Sequence, residues 1–500
     1  MNSTHNKCYY YVMPVRSKIK IIKYAPPPPE LPVYKKVDPR LCSFFGRTNY
    51  EASLEEKKFV FGIKRADRRR HLYIIGKSGV GKSKMLELLI RQDIAYGHGV
   101  CLIDPHGDLI DNILDFIPKT RIQDVIVINP ADTAYPVSFN PLKNIDPELK
   151  HQITQGLIEV LKKQFGANWT SRLEHVFRFT SLALLDYPEA TMRGMISMLT
   201  DREYRQRVIE YIEDDMVRRF WAIEFADWSE KFDTEAIIPL VNKLGQFLSN
   251  PLLRNIFGQK ENKIDFEQIM NNQKILLVSL SKGKLGEENA SFFGSMFITK
   301  IHQAGMSRAN IPEQERRDFY IYVDEFHNLM TATFENLFAE SRKYALNVTV
   351  AHQYMAQLLP EVMATVLGNI GSMTIFRIGG EDAKKLEDEM TPIFKAKDMI
   401  NLGVREFYIK MAIDGETYDP FSAETLNVLP AQHQSYRQEI INYSRENYAI
   451  SVEEAKNKIA KEIHIVEHTI KHAAAKSKEN PSDKTTDKKN SSSSQEEPLI

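Results

Sequence analysis

The sequence predicts an α/β fold: a mostly parallel sheet with helices on both faces, interrupted by an inserted all-α domain. Three observations predict it. First, a glycine-rich loop, Gly76-Lys77-Ser78-Gly79-Val80-Gly81-Lys82-Ser83, follows the apolar run Leu72-Tyr73-Ile74-Ile75. It precedes a helical apolar face made by Met85, Leu86, Leu88, Leu89 and Ile90. Second, strand-like runs at 100–103 and 124–128 alternate with helical ones, the pattern of strands joined by crossover helices. Third, strand signal almost vanishes between residues 146 and 262. There apolar residues recur at helical spacing, as in Ile153-Leu157-Val160-Leu161 and Ile237-Leu240-Leu244-Leu248. Strand runs return at 274–280, 320–323, 348–351 and 374–378.

The elements divide the chain as follows. Residues 1–58 read as a basic arm and a Pro-rich linker. Lys7, Arg16, Lys18, Lys20 and Lys23 stand without an acid in the first 24 residues, and Pro26 to Pro29 favour stiff, extended chain. The arm reads as solvated, with a contact to anionic lipid or nucleic acid as the alternative. The first part of the α/β core spans 59–145, the all-α insertion 146–265 and the second core part 266–425. A late hairpin is expected from runs at 407–413 and 417–419, turning at Asp414-Gly415. Residues 426–470 read as a helical segment. The Lys-, Ser-, Asp- and Glu-rich stretch 471–500 reads as disordered.

Composition excludes several classes. Sixty-six basic residues balance 66 acidic ones, so a uniformly basic body coated with nucleic acid is not indicated, and any such contact is local. Cys8, Cys42 and Cys101 have neither metal-ligand nor disulfide spacing and read as free thiols of a reducing compartment. No apolar run approaches the roughly 20 residues that cross a bilayer. The expected location is cytoplasmic, with peripheral attachment at the inner face of the membrane kept open.

The loop matches G-x-x-x-x-G-K-[ST] and carries the chemistry. Its glycines let consecutive backbone N–H groups face phosphate oxygens. Lys82 reaches the β- and γ-phosphates, Ser83 can ligate Mg²⁺, and the helix N-terminus adds partial positive charge. Residues 76–83, with Lys84 after them, are the candidate nucleotide-binding set. A second motif, Phe319-Tyr320-Ile321-Tyr322-Val323-Asp324-Glu325, is an apolar strand ending in two acids. Beside a phosphate loop, Asp324 is placed to orient Mg²⁺ and Glu325 to polarise the attacking water. Gln353, after the run Val348-Thr349-Val350-Ala351-His352, reads as a γ-phosphate sensor or as a capping amide. Arg342 reads as an arginine finger for a neighbouring subunit or as a surface ion pair, and Arg377 is a second candidate finger. Asp104 and Asp108 end another strand and are expected to position water or Mg²⁺. His106 reads as structural, and Trp169, Trp221 and Trp228 as core.

Together these blocks resemble the HerA/FtsK superfamily of ring ATPases, and most closely coupling proteins of the TraD/TraG type. The resemblance rests on GKSGVGKS, CLIDPHGD, SLSKGKLGEENASFFGSMF, YIYVDE and SRKYALNVTVAHQ, with FWAIEF and NPLLRNIFG inside the helical insertion. It covers residues 60–425. It implies a RecA-like P-loop NTPase core, ATP and Mg²⁺ as cofactors, a homo-hexameric ring, and DNA drawn through the central channel. It also implies a relaxase or type IV secretion components as partners. Membrane-bound members carry N-terminal transmembrane helices, so a soluble motor or a separate membrane anchor is expected here. Lys282 and Lys284 are candidate DNA contacts, with a solvated turn as the alternative. The leading reading is an ATP-driven DNA translocase. A secretion ATPase acting on protein substrates and a nucleotide-gated docking protein stand beside it.

Overall fold

Side-chain alternation along a few short strands organises the molecule. The computed structural model describes residues 21–51, 58–143, 147–228 and 230–460. The basic arm up to residue 20, the tail 471–500 and the last part of the helical segment, 461–470, lie outside the described residues. The strands are β1 (Cys42–Thr48), β2 (Val60–Lys64), β3 (Leu72–Ile75), β4 (Gly99–Asp104), β5 (Val125–Ile128), β6 (Ile275–Ser279) and β7 (Phe319–Val323). They continue with β8 (Leu346–His352), β9 (Ser372–Ile375), β10 (Glu406–Lys410), β11 (Ala412–Ile413), β12 (Glu416–Thr417) and β13 (Phe421–Thr425).

Eleven of them form one sheet in the order β2-β1-β13-β10-β9-β3-β8-β7-β4-β6-β5. From β9 to β5 every pairing is parallel. The other edge is antiparallel. In β3 and β4, Leu72, Ile74, Val100 and Leu102 face the helix Lys82–Ala95 that follows the loop. Tyr73, Ile75, Cys101 and Ile103 face the opposite side. Both faces are apolar because both are covered, as a parallel sheet with crossover helices requires.

The described residues of the insertion form helices and no strand, with helices Lys150–Phe165, Ser171–Asp186, Met192–Thr200 and Glu230–Ser249 as the longer members. Thr170, Thr191 and Asp201 cap successive helices through their side chains, which explains the sharp breaks between them. The three tryptophans pack as expected. Trp221 is buried and its indole N–H donates to Phe179 O at 3.1 Å. Trp169 and Trp228 lie against the same core. That core is continuous with the sheet, because the buried helix Glu287–Ser307 packs on Lys150–Phe165 on one side and meets Leu346 of β8 through Gly305.

Three expectations need correction. Residues 42–48, placed in the arm and linker, form β1 inside the sheet. A register shift between Phe44 and Gly46 breaks the alternation that would have marked them. The linker itself is docked, with Ala25 and Leu31 buried and Ala25 N donating to Ser422 Oγ. The late hairpin does turn at Asp414-Gly415, but its strands are only β11 and β12. Residues 406–410 instead pair with β9 and with β13, whose short Phe-Ser-Ala-Glu-Thr sequence carries little strand signal.

One buried cluster joins the layers. Asp93, near the end of the Lys82–Ala95 helix, accepts from Arg65 Nη1 (2.5 Å), from Arg68 Nη1 (2.8 Å) and from the Tyr322 hydroxyl of β7. Arg68 also lies 4.2 Å from the centre of the Tyr320 ring. The guanidinium charges hold Asp93 below the usual carboxyl range despite its burial. Asp93→Asn leaves two buried guanidinium groups without their anion. It should cost about 3–5 kcal/mol in urea denaturation, against about 1 kcal/mol for Tyr322→Phe. Equal costs would show that the charge is irrelevant.

Candidate active site

Because β3, β8, β7 and β4 are adjacent and parallel, their carboxyl ends converge on one edge. The phosphate-type loop leaves β3 there. Gly79 and Gly81 take φ of +74° and +125°, a region that a side chain disfavours, and the loop curls before the Lys82–Ala95 helix begins. The loop is pinned from behind. Gly76 N donates to His352 O (3.3 Å), Lys77 N to Arg377 O (2.9 Å), and Arg405 N to Val80 O (2.9 Å). Lys77, Ser78 and Gly79 are exposed along its crest, while the Val80 side chain is buried in the core.

Lys82 is buried, and its ammonium donates to the carbonyls of Gly76 (2.7 Å) and Lys77 (3.2 Å). Burial lowers its pKa, opposed by the nearby charges of Glu325 and Asp324. Lys84 is turned away from the loop and pairs with Glu87 at 2.8 Å.

The two acids sit across from the loop. Asp324 is buried at the end of β7, with Ser83 Oγ 3.5 Å from its Oδ2. Burial raises its pKa to about 6, reinforced by Glu325 and Asp104 and opposed by Lys82. Glu325 has left-handed backbone angles, φ 46° and ψ 47°, unusual for a residue with a long side chain. Such strain is characteristic of functional positions, and here it turns Glu325 out of the strand's alternation. Gln353 Nε2 donates to Glu325 Oε1 at 2.7 Å, so the sensor candidate and the second acid are in direct contact.

Below them, His352 Nε2 meets the Tyr73 hydroxyl at 2.5 Å. Burial pushes this histidine down to about 3, so it is neutral. His327 was not anticipated. Its Nδ1 is 3.5 Å from Glu325 Oε2, too poorly aimed for a hydrogen bond, and its Nε2 meets Gln357 at 3.1 Å. The only sequence signal was a histidine two positions after the acids.

Other candidates are placed differently. Asp104 accepts backbone N–H groups from His106, Leu109 and Ile110 and so caps the next helix, while Asp108 is exposed. Arg377 is half-buried beside the chain's own loop. Arg342 is exposed in the turn Ser341–Tyr344 that precedes β8. It lies at the amino edge of the sheet, a strand length of roughly 20 Å from the loop edge. Lys282 is paired with Glu287 at 2.7 Å, and Lys284 is exposed.

The donor set fits a nucleotide with Mg²⁺. Mg²⁺ favours one or two carboxylates plus phosphates and retained waters, and Ser83 with Asp324 offers a sparse oxygen set of that kind. Lys82 and the exposed N–H-bearing crest suit phosphate oxygens. An ionised Asp324 is costly in the free fold. Its raised pKa means that the associated stability is complete below the ordinary carboxyl value of 3.8 and is lost as pH rises through about 6. Asp324→Asn should therefore stabilise the nucleotide-free protein near neutral pH by on the order of 1–3 kcal/mol. Urea denaturation across a pH series should show that gain shrinking as pH falls below about 6. A gain independent of pH would contradict it.

Comparison with known proteins agrees with this geometry. Residues 61–390 match the model of the type IV secretion-system coupling protein DNA-binding domain. No curated protein matches the chain in sequence. Among solved structures, the unbound bacterial conjugative coupling protein TrwBΔN70 is 17% identical over 75% of this chain and 89% of its own, with a TM-score of 0.56. The plasmid coupling protein TrwB in complex with ADP and Mg²⁺ is 17% identical over the same shares, with a TM-score of 0.55. VirB4 of Thermoanaerobacter pseudethanolicus is 15% identical over 74% of this chain and 94% of its own, with a TM-score of 0.51. At these identities the likeness shows a common RecA-like P-loop NTPase fold. With the family model covering well over half its length, the chain belongs to the type IV secretion-system coupling proteins of the HerA/FtsK superfamily.

Proposed function

We propose that this chain is an ATP-driven motor that moves DNA in conjugation or type IV secretion, hydrolysing ATP at the subunit interfaces of a hexameric ring. The observation that carries the reading is Glu325. It is a strained acid at the loop edge of the sheet, held by Gln353 at 2.7 Å and adjacent to the buried Asp324. Nucleotide binding alone needs the loop. A second, oriented carboxylate is what hydrolysis adds.

The steps follow from the residues. The exposed loop crest cradles the phosphates, and Lys82 exchanges its carbonyl partners for β- and γ-phosphate oxygens. Ser83 and Asp324 would hold Mg²⁺, which would supply charge neutralisation to the phosphates. Glu325 accepts the proton of the attacking water, and Gln353 holds Glu325 and senses the terminal phosphate. Arg342 lies too far from its own loop to act there, which supports a role in the neighbouring subunit's site. Channel contacts are electrostatic and sequence-independent, with Lys284 the exposed candidate and Lys282 already engaged by Glu287. TrwB, a coupling protein solved with ADP and Mg²⁺, supports the cofactor assignment. A relaxase, secretion components and a separate membrane anchor are the partners this reading expects. No described helix is long and apolar enough to cross a membrane.

ATP turnover of the purified chain should rise when single- or double-stranded DNA is added and vanish in Lys82→Ala. Lys82-dependent turnover indifferent to DNA would favour a protein substrate instead. Arg342→Ala and Lys82→Ala should each be inactive alone. Mixed together they should regain turnover, because some interfaces then combine an intact loop with an intact arginine. No recovery on mixing would remove Arg342 from the mechanism.

A further inference from the structure

The turn that follows the two acids is held from outside the sheet. Asn328 closes it, its N–H donating to the Glu325 carbonyl at 3.3 Å. The carbonyl of Asn328 in turn receives two side-chain donors. Ser291 Oγ, on the Glu287–Ser307 helix, donates at 2.7 Å. Lys163 Nζ, on the Lys150–Phe165 helix of the insertion, is the other. Ser291 lies near the start of the helix that directly follows the short helix Lys282–Leu285, the segment holding the candidate DNA contacts. Two regions distant in sequence thus meet on a single oxygen, three residues from Glu325.

Lys163 is an unusual choice for a packing contact. It forms no salt bridge among the described residues, and burial alone lowers its amine to about 7. Desolvating an amine without a countercharge is unfavourable, so a methylene side chain of the same length would pack at least as well. What the amine adds is a directed hydrogen bond to the turn. The turn needs one, because Glu325 is held at left-handed backbone angles that a free chain would relax.

We propose that Lys163 and Ser291 are positioning residues for Glu325, through which the all-α insertion and the Lys282–Leu285 segment set the hydrolytic competence of the site. This rests on the hydrolysis reading above. A small displacement of the Asn328 carbonyl tilts the turn and moves Glu325 relative to the attacking water. It leaves the phosphate loop, which is pinned by His352, Arg377 and Arg405, where it is.

The test measures kcat and KM for ATP, and affinity for a non-hydrolysable ATP analogue, in the full chain. Lys163→Met should lower kcat about tenfold while KM and analogue affinity stay within about twofold. Lys163→Arg should recover most of the rate, and Ser291→Ala should show a smaller loss of the same kind. In a Glu325→Gln background neither substitution should lower the residual turnover further. The proposal is overturned if both variants keep wild-type kcat, if their losses persist undiminished beside Glu325→Gln, or if KM rises together with loss of analogue affinity. Should Lys163→Met fail to fold, the Ser291→Ala cycle decides by the same criteria. Wild-type turnover that is absent, or that survives Lys82→Ala, would instead overturn the hydrolysis reading and the clamp with it.

Discussion

The register of one helix against one strand is the constraint on which the site depends, and Asp93 sets it. The Lys82–Ala95 helix presents Ser83 at its start and Asp93 near its end, while β7 presents Tyr322 and, two residues on, Asp324. Residues two apart on a strand share a face. The bond from Tyr322 to Asp93 and the 3.5 Å approach of Ser83 to Asp324 are therefore two ends of one alignment. Sliding the helix by a residue would displace Ser83 by about 1.5 Å and separate the pair. Arg65 and Arg68 complete the lock from the segment that leads into β3, so the loop's entry and exit are fixed against the same carboxylate. A buried ionic cluster of this kind adds little net stability, because desolvation offsets attraction. Its value here is geometric, since removing Asp93 leaves two buried guanidinium groups without their anion, and one register of helix against strand satisfies all three of its partners.

Adjacent residues of the same chemical class are given different tasks by backbone and burial. Asp324 continues the strand and is pushed toward the neutral form by burial, which makes it responsive to a cation. Glu325 leaves the strand through its left-handed conformation and finds an amide donor in Gln353. An extended Glu325 would project to the opposite face of the sheet from Asp324. The strained φ keeps both acids at the carboxyl edge, at a conformational cost that the Asn328 contacts offset in part.

Much of the site was legible in the sequence because it is local. The loop pattern, the apolar run ending in Asp324-Glu325 and the polar residue after β8 each lie within one strand and its following turn. Parallel strand order then carries all three to one edge. Helical periodicity likewise marked the insertion, and the three tryptophans took core positions. What stayed hidden depends on distant partners. Asp93 gave no sign that Arg65, Arg68 and Tyr322 would converge on it, since pairings across 25 to 229 residues leave no periodic trace. The antiparallel edge was missed for a different reason. β1 contains a register shift and β13 is short and partly polar, so neither shows the alternation by which strands are read. Lys84 illustrates the limit of reading by adjacency. It follows the loop directly, yet helical geometry turns it toward Glu87.

The insertion shares its core with the sheet, and this shapes how it can influence the nucleotide edge. Phe139, Phe257, Phe266, Phe293 and Phe297 form one aromatic contact set that spans the first core part, the insertion and the Glu287–Ser307 helix. Close packing of this kind transmits displacement, because a dense interior has little compressible space. A free hinge between two bodies would let the insertion move without disturbing the acids. A continuous core instead makes the Glu287–Ser307 helix a rigid strut, packed on the insertion through Lys150–Phe165 and reaching the Asn328 turn through Ser291. Lys163 adds a direct tie from the insertion to that same turn. Among the described residues, force on the insertion therefore has two short paths to Glu325 and none of comparable directness to the phosphate loop. That asymmetry favours control of hydrolysis over control of nucleotide binding.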